Sequence, residues 1–261
     1  MSEMAGAAKI PNPTQRFSNR VENYVCYRPG YPNGMLELLS ARCGLTREST
    51  IADIGSGTGK LAELFLAIGQ QVIGVEPNRE MREAGERLLG YHSAFRSVAG
   101  SAEDTTMAAA CVDLLVAGQA FHWFDRERCR AEFIRILKPG GWVALIWNDR
   151  RTDATPFLLA YEQLLREFAT DYEQVNHRNI DQRVLTEFFG AEPELQSFPY
   201  AQSFDFDGLK GRLLSSSYAP EAGQPRHDEM MAALRRIFEG HQRAGYVRFE
   251  YDTRVYLGRL N

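Results

Sequence analysis

The chain has 261 residues, 44% of them apolar and 25% charged, which is the balance of a folded globular protein and excludes a disordered, fibrous or collagen-like one. Lys and Arg total 30 against 34 Asp and Glu, and the resulting formal charge of −4 offers no general attraction to a phosphate backbone, so no nucleic-acid partner is expected. No apolar run is long enough to cross a bilayer and no basic-then-apolar leader opens the sequence, so the expectation is a cytoplasmic protein without a membrane partner.

In chain order, residues 1–13 carry small residues and two prolines with no burying period and read as a flexible tail. Phe17, Val21 and Tyr24 recur at helical spacing until Arg28-Pro29-Gly30-Tyr31-Pro32 breaks the helix, and Met35, Leu36, Leu38 and Leu39 mark a second helix over 33–43. A strand at 50–54 runs into Gly55-Ser56-Gly57-Thr58-Gly59. A helix follows, with Leu61, Leu64, Phe65 and Ile68 on its buried stripe and Gly69 as its stop. The next strand, 71–75, ends at Glu76, and Asn78 caps a helix through about 89. Strands at 95–99 and 112–117, a helix at 126–137, a turn at Lys138-Pro139-Gly140-Gly141 and a strand at 142–147 complete the alternation.

Five strands alternating with helices predict an α/β, doubly wound, Rossmann-like core with both faces of a parallel sheet covered. Residues 150–191 turn helical and aromatic over a stretch too long for a βα connection, and read as an inserted cap. A strand near 195–204, helices near 206–217 and 227–244 and a closing strand at 246–257 follow. The chain is therefore taken as one domain. Its parts are the tail (1–13), N-terminal helices and cofactor-binding core (14–149), a helical cap insertion (150–194), and C-terminal strands with second cap helices (195–261).

The four cysteines form no C-x-x-C pair and the five histidines no H-E-x-x-H, so no metal is expected and the thiols are taken as reduced. The chemistry concentrates in Asp53-Ile54-Gly55-Ser56-Gly57-Thr58-Gly59. Three glycines leave no Cβ between backbone and ligand, whereas a bare strand-to-helix turn needs only one. A phosphate-binding P-loop is excluded, because Ile54 stands five residues before Gly59 and Leu61 replaces the magnesium-binding hydroxyl. A dinucleotide fingerprint fits Gly57-Thr58-Gly59-Lys60-Leu61-Ala62 formally, but leaves Gly55 surplus and sets Asp53 beside a pyrophosphate that it would repel.

Asp53-x-Gly55-x-Gly57-x-Gly59 with Glu76 at the second strand end resembles the class I S-adenosylmethionine-dependent methyltransferases. Glu76-Pro77-Asn78-x-x-Met81, Ser101-Ala102-Glu103 and Leu137-Lys138-Pro139-Gly140-Gly141 extend the resemblance. Tyr24-x-x-x-Arg28-Pro29-x-Tyr31-Pro32 and Ala120-Phe121-His122-Trp123-Phe124-Asp125 resemble its small-molecule branch, the type 11 and trans-aconitate methyltransferase-like proteins. The resemblance implies a seven-stranded mixed sheet with an antiparallel last strand. It also implies S-adenosyl-L-methionine as cofactor, S-adenosyl-L-homocysteine as product, and a methyl group passed to a small molecule through a carboxylate or hydroxyl.

Carried over residue by residue, the cofactor falls to Asp53, Gly55, Ser56, Gly57 and Gly59, to Glu76 for the ribose, and to Pro77, Met81, Ala102 and Glu103 about the adenine. Gln119 and Ala120 lie near the methionine portion, where Arg28 suits its carboxylate and Tyr24 the methyl end. His122 is the catalytic candidate, either as general base or as one wall of a packed aromatic cluster. Trp123, Arg150 and Tyr218 are the substrate candidates. Arg150 with Arg151, and Lys210 with Arg212, either clamp an acidic substrate or form a solvated face. Tyr161, Phe168, Phe204 and Phe206 are pocket walls or cap core. Two other functions stay open: an NAD(P)-dependent oxidoreductase, and a cofactor-binding regulatory protein without catalysis.

Overall fold

The computed structural model describes residues 20–172 and 180–260. The expected tail, Phe17 and His177 lie outside the described residues. Seven strands, β1 (Thr50–Ile54), β2 (Gln71–Val75), β3 (Phe95–Val98), β4 (Val112–Gly118), β5 (Leu137–Arg150), β6 (Glu194–Phe204) and β7 (Val247–Gly258), form one sheet in the order β3-β2-β1-β4-β5-β7-β6. The first five pair in parallel, and β7 runs antiparallel to both β5 and β6.

Side chains alternate across the sheet, and this divides the core. Ala52, Ile54, Leu115, Ala117, Leu145 and Trp147 pack on one face with α5 (Arg126–Ile136) and α7 (Gln182–Phe189). Their neighbours Ile51, Leu114, Val116, Ala144 and Ile146 pack on the other with α2 (Asn33–Cys43) and α3 (Lys60–Ala67). A third cluster lies off the sheet. It joins α6 (Pro156–Phe168), α8 (Phe206–Leu214) and α9 (His227–His241) to Val247, Phe249 and Tyr251, where the β6–β7 ribbon overhangs β5. This is the cap.

Three local expectations change. The stretch 150–194 is not one insertion: α6 packs on α9, whereas Leu185, Phe188 and Phe189 of α7, at i, i+3 and i+4, bury on the sheet beside α5. Lys138-Pro139-Gly140-Gly141 does not separate two elements. It bulges within the fourteen-residue β5, where the register jumps from Val112↔Leu137 to Leu114↔Trp142 and Gly140 takes φ +78°. Ile68 is exposed, and Ala62 and Leu66 join Leu61 and Phe65 on the buried stripe instead.

The N-terminal helix α1 (Val21–Tyr27) is tied to the cap across most of the chain. Arg20 donates to the carbonyls of Leu214, Ser216 and Ala219, and Arg28 to that of Ser215 at 3.0 Å, so two guanidinium groups meet the carbonyl end of α8. Asn148 on β5 donates to Gly30 O at 2.9 Å, which holds the following loop over the sheet. α4 (Arg79–Leu89) begins at Asn78, whose Oδ1 accepts from Met81 N at 2.8 Å.

Candidate active site

Strand order reverses between β1 and β4, where the connections from the two strands diverge and leave a crevice at their carboxyl ends. The glycine loop sits there. Gly55, Gly57 and Gly59 take φ of +69°, +57° and +86°, a region that disfavours side chains, and a Cβ on Gly55 would stand 2.7 Å from Ala120 Cβ. Gly59 has a different use from its neighbours: its missing Cβ leaves room for Leu89, so it seats α3 against α4 rather than facing the crevice.

Glu76, at the end of β2, fastens the loop. One carboxylate oxygen accepts from Gly57 N at 2.8 Å and the other from Asn78 N at 2.8 Å, and the group is buried. An ionised carboxylate accepts about four hydrogen bonds, so both oxygens keep capacity for a pair of hydroxyls. Burial pushes the Glu76 carboxyl above the ordinary range, against the opposing pull of those two N–H groups and Arg82.

Asp53 ends β1 beneath the loop at 1% exposure, and its Oδ2 has no hydrogen-bond partner. Burial is the main cause that raises its carboxyl to about 7; the Ala62 N–H pulls it down, and the charge of Glu76 adds to the rise. Two desolvated carboxylates, one with an orphaned oxygen, form a site for a ligand that brings a cation and hydroxyls. A pyrophosphate would meet repulsion.

Two cavities open from this point and share Tyr24, Gly55, Gly118, Gln119 and Trp123 as their common wall. The first, about 780 Å³ with its mouth, is lined by Gly57, Glu76, Pro77, Met81, Ala102, Glu103 and Ala120. Its apolar sides and terminal carboxylate match an adenosine. Glu103 has one oxygen occupied by Asp125 N at 2.9 Å, so it closes the start of α5 as well as lining the cavity. The second, about 1180 Å³ with its mouth, runs from Asp53 and Ser56 past Arg28 and His122 to Arg150, Arg212, Tyr218 and Tyr251 beneath the cap. Gln119, on the shared wall, holds φ +57° while its N–H donates to Ile146 O at 2.8 Å, an uncommon conformation for a side chain that faces both cavities.

The substrate candidates separate. Trp123 and Tyr218 line the second cavity. Arg150 lines it too, but its guanidinium bonds Glu162 at 2.6 Å and the Tyr172 hydroxyl at 3.1 Å and lies over the Tyr161 ring, while Arg151 pairs with Asp252 at the surface. Lys210 is exposed and Arg212 is buried, so a solvated face describes only one of that pair. Phe204 joins Tyr161 in the buried core of the cap, with Phe168 and Phe206 packed against it. His122 stands in a 3-10 turn, Phe121–Trp123, with Nδ1 3.5 Å from the indole nitrogen of Trp147. Arg212 faces the second cavity as well, and so do Asn148 and Tyr251, which no motif in the sequence marks.

The methyltransferase-domain family matches residues 52–145. An uncharacterized methyltransferase of Schizosaccharomyces pombe is 34% identical over 155 residues, 58% of this chain and 59% of that protein. One of Mycobacterium tuberculosis is 33% identical over 134 residues, 51% of this chain and 52% of that protein. The chain thus matches little more than half the length of these relatives. A solved structure described as a type II methyltransferase of Anaeromyxobacter dehalogenans superposes with a TM-score of 0.66 at 21% identity, over 90% of this chain and 98% of that one. Residues 52–145 thus match a methyltransferase domain, and the chain shares its fold with that solved structure.

Proposed function

We propose that this chain binds S-adenosylmethionine across the glycine loop and methylates a small molecule held in the second cavity, beneath the cap. The observation that carries this reading is the pair of cavities that meet at Gly55, Gly118, Gln119 and Trp123: one has adenosine chemistry, and the other leads to the cap. When bound, the cofactor supplies a methyl group already activated on a sulfonium, so the chain's part is alignment and exclusion of water.

Glu76 holds the ribose hydroxyls, Met81 and Ala102 pack on the adenine, and the orphaned oxygen of Asp53 takes the ammonium. Arg28, whose Nε is buried without a hydrogen-bond partner, takes the carboxylate, with Tyr24 beneath its guanidinium at 5.3 Å. The acceptor lies beneath the cap, in a cavity suited to a metabolite rather than a nucleic acid.

Calorimetric titration with S-adenosylmethionine and with NAD(P)H tests this reading. Selective binding of the first is expected, with the Glu76→Ala affinity lowered about tenfold to a hundredfold, the worth of charge-assisted hydrogen bonds. Preferential binding of the dinucleotide would refute it. Labelled S-adenosylmethionine incubated with a metabolite extract then separates a working enzyme, which yields a labelled product, from a regulatory binder, which yields none.

A further inference from the structure

The second cavity collects more positive charge than the cofactor needs. Three arginines line it, Arg28, Arg150 and Arg212. Arg150 is balanced by Glu162, with side-chain exposures of 10% and 8%. Among the described residues, neither Arg28 nor Arg212 forms an ion pair with a carboxylate. Arg28 meets Ser215 O and the Tyr24 ring, and the 6%-exposed Arg212 meets the Tyr251 hydroxyl at 3.3 Å, Ser216 Oγ at 3.2 Å and the Phe249 ring at 6.0 Å. Neutral partners orient a guanidinium but leave its charge uncompensated, and a buried cation in that condition is expensive.

The other charged groups in the wall do not supply the missing anion. Asp53 stands at the loop end of the cavity, and Lys60, whose Nζ donates to Val25 O at 2.7 Å, adds another cation. If Arg28 receives the carboxylate of the cofactor, Arg212 is left facing the acceptor with one positive charge and a planar donor set. Tyr251, whose hydroxyl meets Arg212, lines the same cavity as Ser217 and Tyr218, residue types whose hydroxyls can complete the hydrogen bonds of a bound anion.

We propose that Arg212 anchors the methyl acceptor through a carboxylate group, so that the substrates of this site are small organic acids. One uncompensated guanidinium matches a monoanion, and its fork matches the two oxygens of a carboxylate. The anchoring carboxylate need not be the methylated group, since a guanidinium on the attacking oxygens would weaken them as nucleophiles. Arg212 is therefore a specificity residue. Its helix is held to α1 by Arg20 and Arg28, so the anchor is fixed relative to the glycine loop by the contacts that close the cap.

The inference rests on the proposed cofactor reading, so the experiment separates the two. Binding of S-adenosylhomocysteine is measured first, on the wild type and on Arg212→Gln and Arg212→Lys. The loaded proteins are then titrated with aliphatic and aromatic mono- and dicarboxylic acids and with their neutral amides, up to about 10 mM, which covers the millimolar range of a single charge-assisted anchor. The expected result is that at least one acid binds the wild type about tenfold or more tightly than its amide. Arg212→Gln should lose that preference and Arg212→Lys keep part of it, while affinity for S-adenosylhomocysteine changes less than about threefold.

Amides that bind as well as acids, an acid preference that survives Arg212→Gln, or no acid bound at all would overturn the assignment of Arg212 while leaving the cofactor reading intact. An Arg212→Lys variant that loses S-adenosylhomocysteine but still folds would give Arg212 to the cofactor instead. No binding of S-adenosylhomocysteine to the wild type would overturn both. Should Arg212→Gln fail to fold, the acid-to-amide ratio of the wild type against Arg212→Lys still decides, because neither depends on the lost charge.

Discussion

The two cavities are built by different means. The side proposed for adenosine uses backbone and short connections: the loop at 55–59, Glu76 and the cap at Asn78 fall within 26 residues of Asp53, and their bonds are mostly to main-chain N–H groups. The side proposed for the acceptor is assembled from side chains that meet over long separations, as Arg28 and Ser215 do across 187 residues. A ligand common to many proteins suits a backbone cradle, and an acceptor particular to one suits side chains on a cap. Damage to the first should reach the cofactor, and damage to the second should reach stability and acceptor choice.

The largest effect is expected on the acceptor side. Glu162 is buried and accepts from Arg150 at 2.6 Å, Tyr172 at 2.8 Å and Arg166 at 3.2 Å. Glu162→Gln keeps the shape and removes the carboxylate charge that faces the buried Arg150, so a loss of about 3–5 kcal/mol is expected in urea unfolding. Burial alone would raise the Glu162 carboxyl, but Arg150 and the Tyr172 hydroxyl outweigh it and hold the group below its ordinary value. Its contribution is therefore present above the unfolded-state value near 4.5 and is lost as the pH falls through the lower folded-state value. A wild type and variant of equal stability at neutral pH would break the picture of a cap held by a buried ion pair.

On the cofactor side, Gly55→Ala is expected to cost about 2–3 kcal/mol, from a left-handed backbone with a side chain and a Cβ 2.7 Å from Ala120. It also narrows the wall shared by both cavities, so cofactor affinity should fall further than stability alone explains. A thermal melt read beside a cofactor titration separates the two losses. Unchanged binding in a folded variant would remove the loop from the site.

The same division explains how much was legible in the sequence. Thr50–Ile54, Gln71–Val75 and the Asn78 cap are readable to the residue, because alternation, Gly punctuation and an Asn before a helix are local signals. The bulge at Gly140 is not, since Pro-Gly-Gly marks a turn equally well when the partner strand continues past it. Nor is the placement of α7: an amphipathic helix shows that it buries Leu185, Phe188 and Phe189, and not against which layer. Which of Lys210 and Arg212 enters the cavity was hidden for a similar reason. Lys210 and Arg212 look alike in sequence, and only the course of α8 beneath Tyr251 and Phe249 sends one to solvent and the other into the cavity.

A smaller effect, within the cofactor side, is a pH dependence. Asp53, raised to about 7 chiefly by burial, takes up a proton on folding below that pH. The stability it confers is complete below its unfolded value near 3.8 and is lost as the pH rises through about 7, so Asp53→Asn should stabilise the cofactor-free protein at pH 8. Binding follows the opposite sign. An ammonium beside Asp53 favours the ionised form, so affinity for S-adenosylmethionine should rise by up to about tenfold per pH unit below 7 and level off above it. Titrations between about pH 5.5 and 7.5 read this slope. A slope kept by Asp53→Asn would assign the proton to another group.

The smallest effect is expected at the boundary between the cavities. His122 Nδ1 faces the Trp147 indole N–H at 3.5 Å, a long and weak bond, and the ring lies 4.8 Å from that of Trp123. With Nδ1 accepting, the neutral imidazole carries its proton on Nε2, which can donate a hydrogen bond but cannot take a proton from an acceptor. A carboxylate nucleophile needs no base in any case, because it is already ionised at neutral pH. His122→Ala should therefore retain turnover and shift KM by about fivefold or less, the worth of one hydrogen bond. A loss of kcat of about a hundredfold or more, with KM unchanged, would instead make His122 the base. That result would require an alcohol or amine as the reacting group, and would leave to Arg212 only the task of holding the rest of the acceptor.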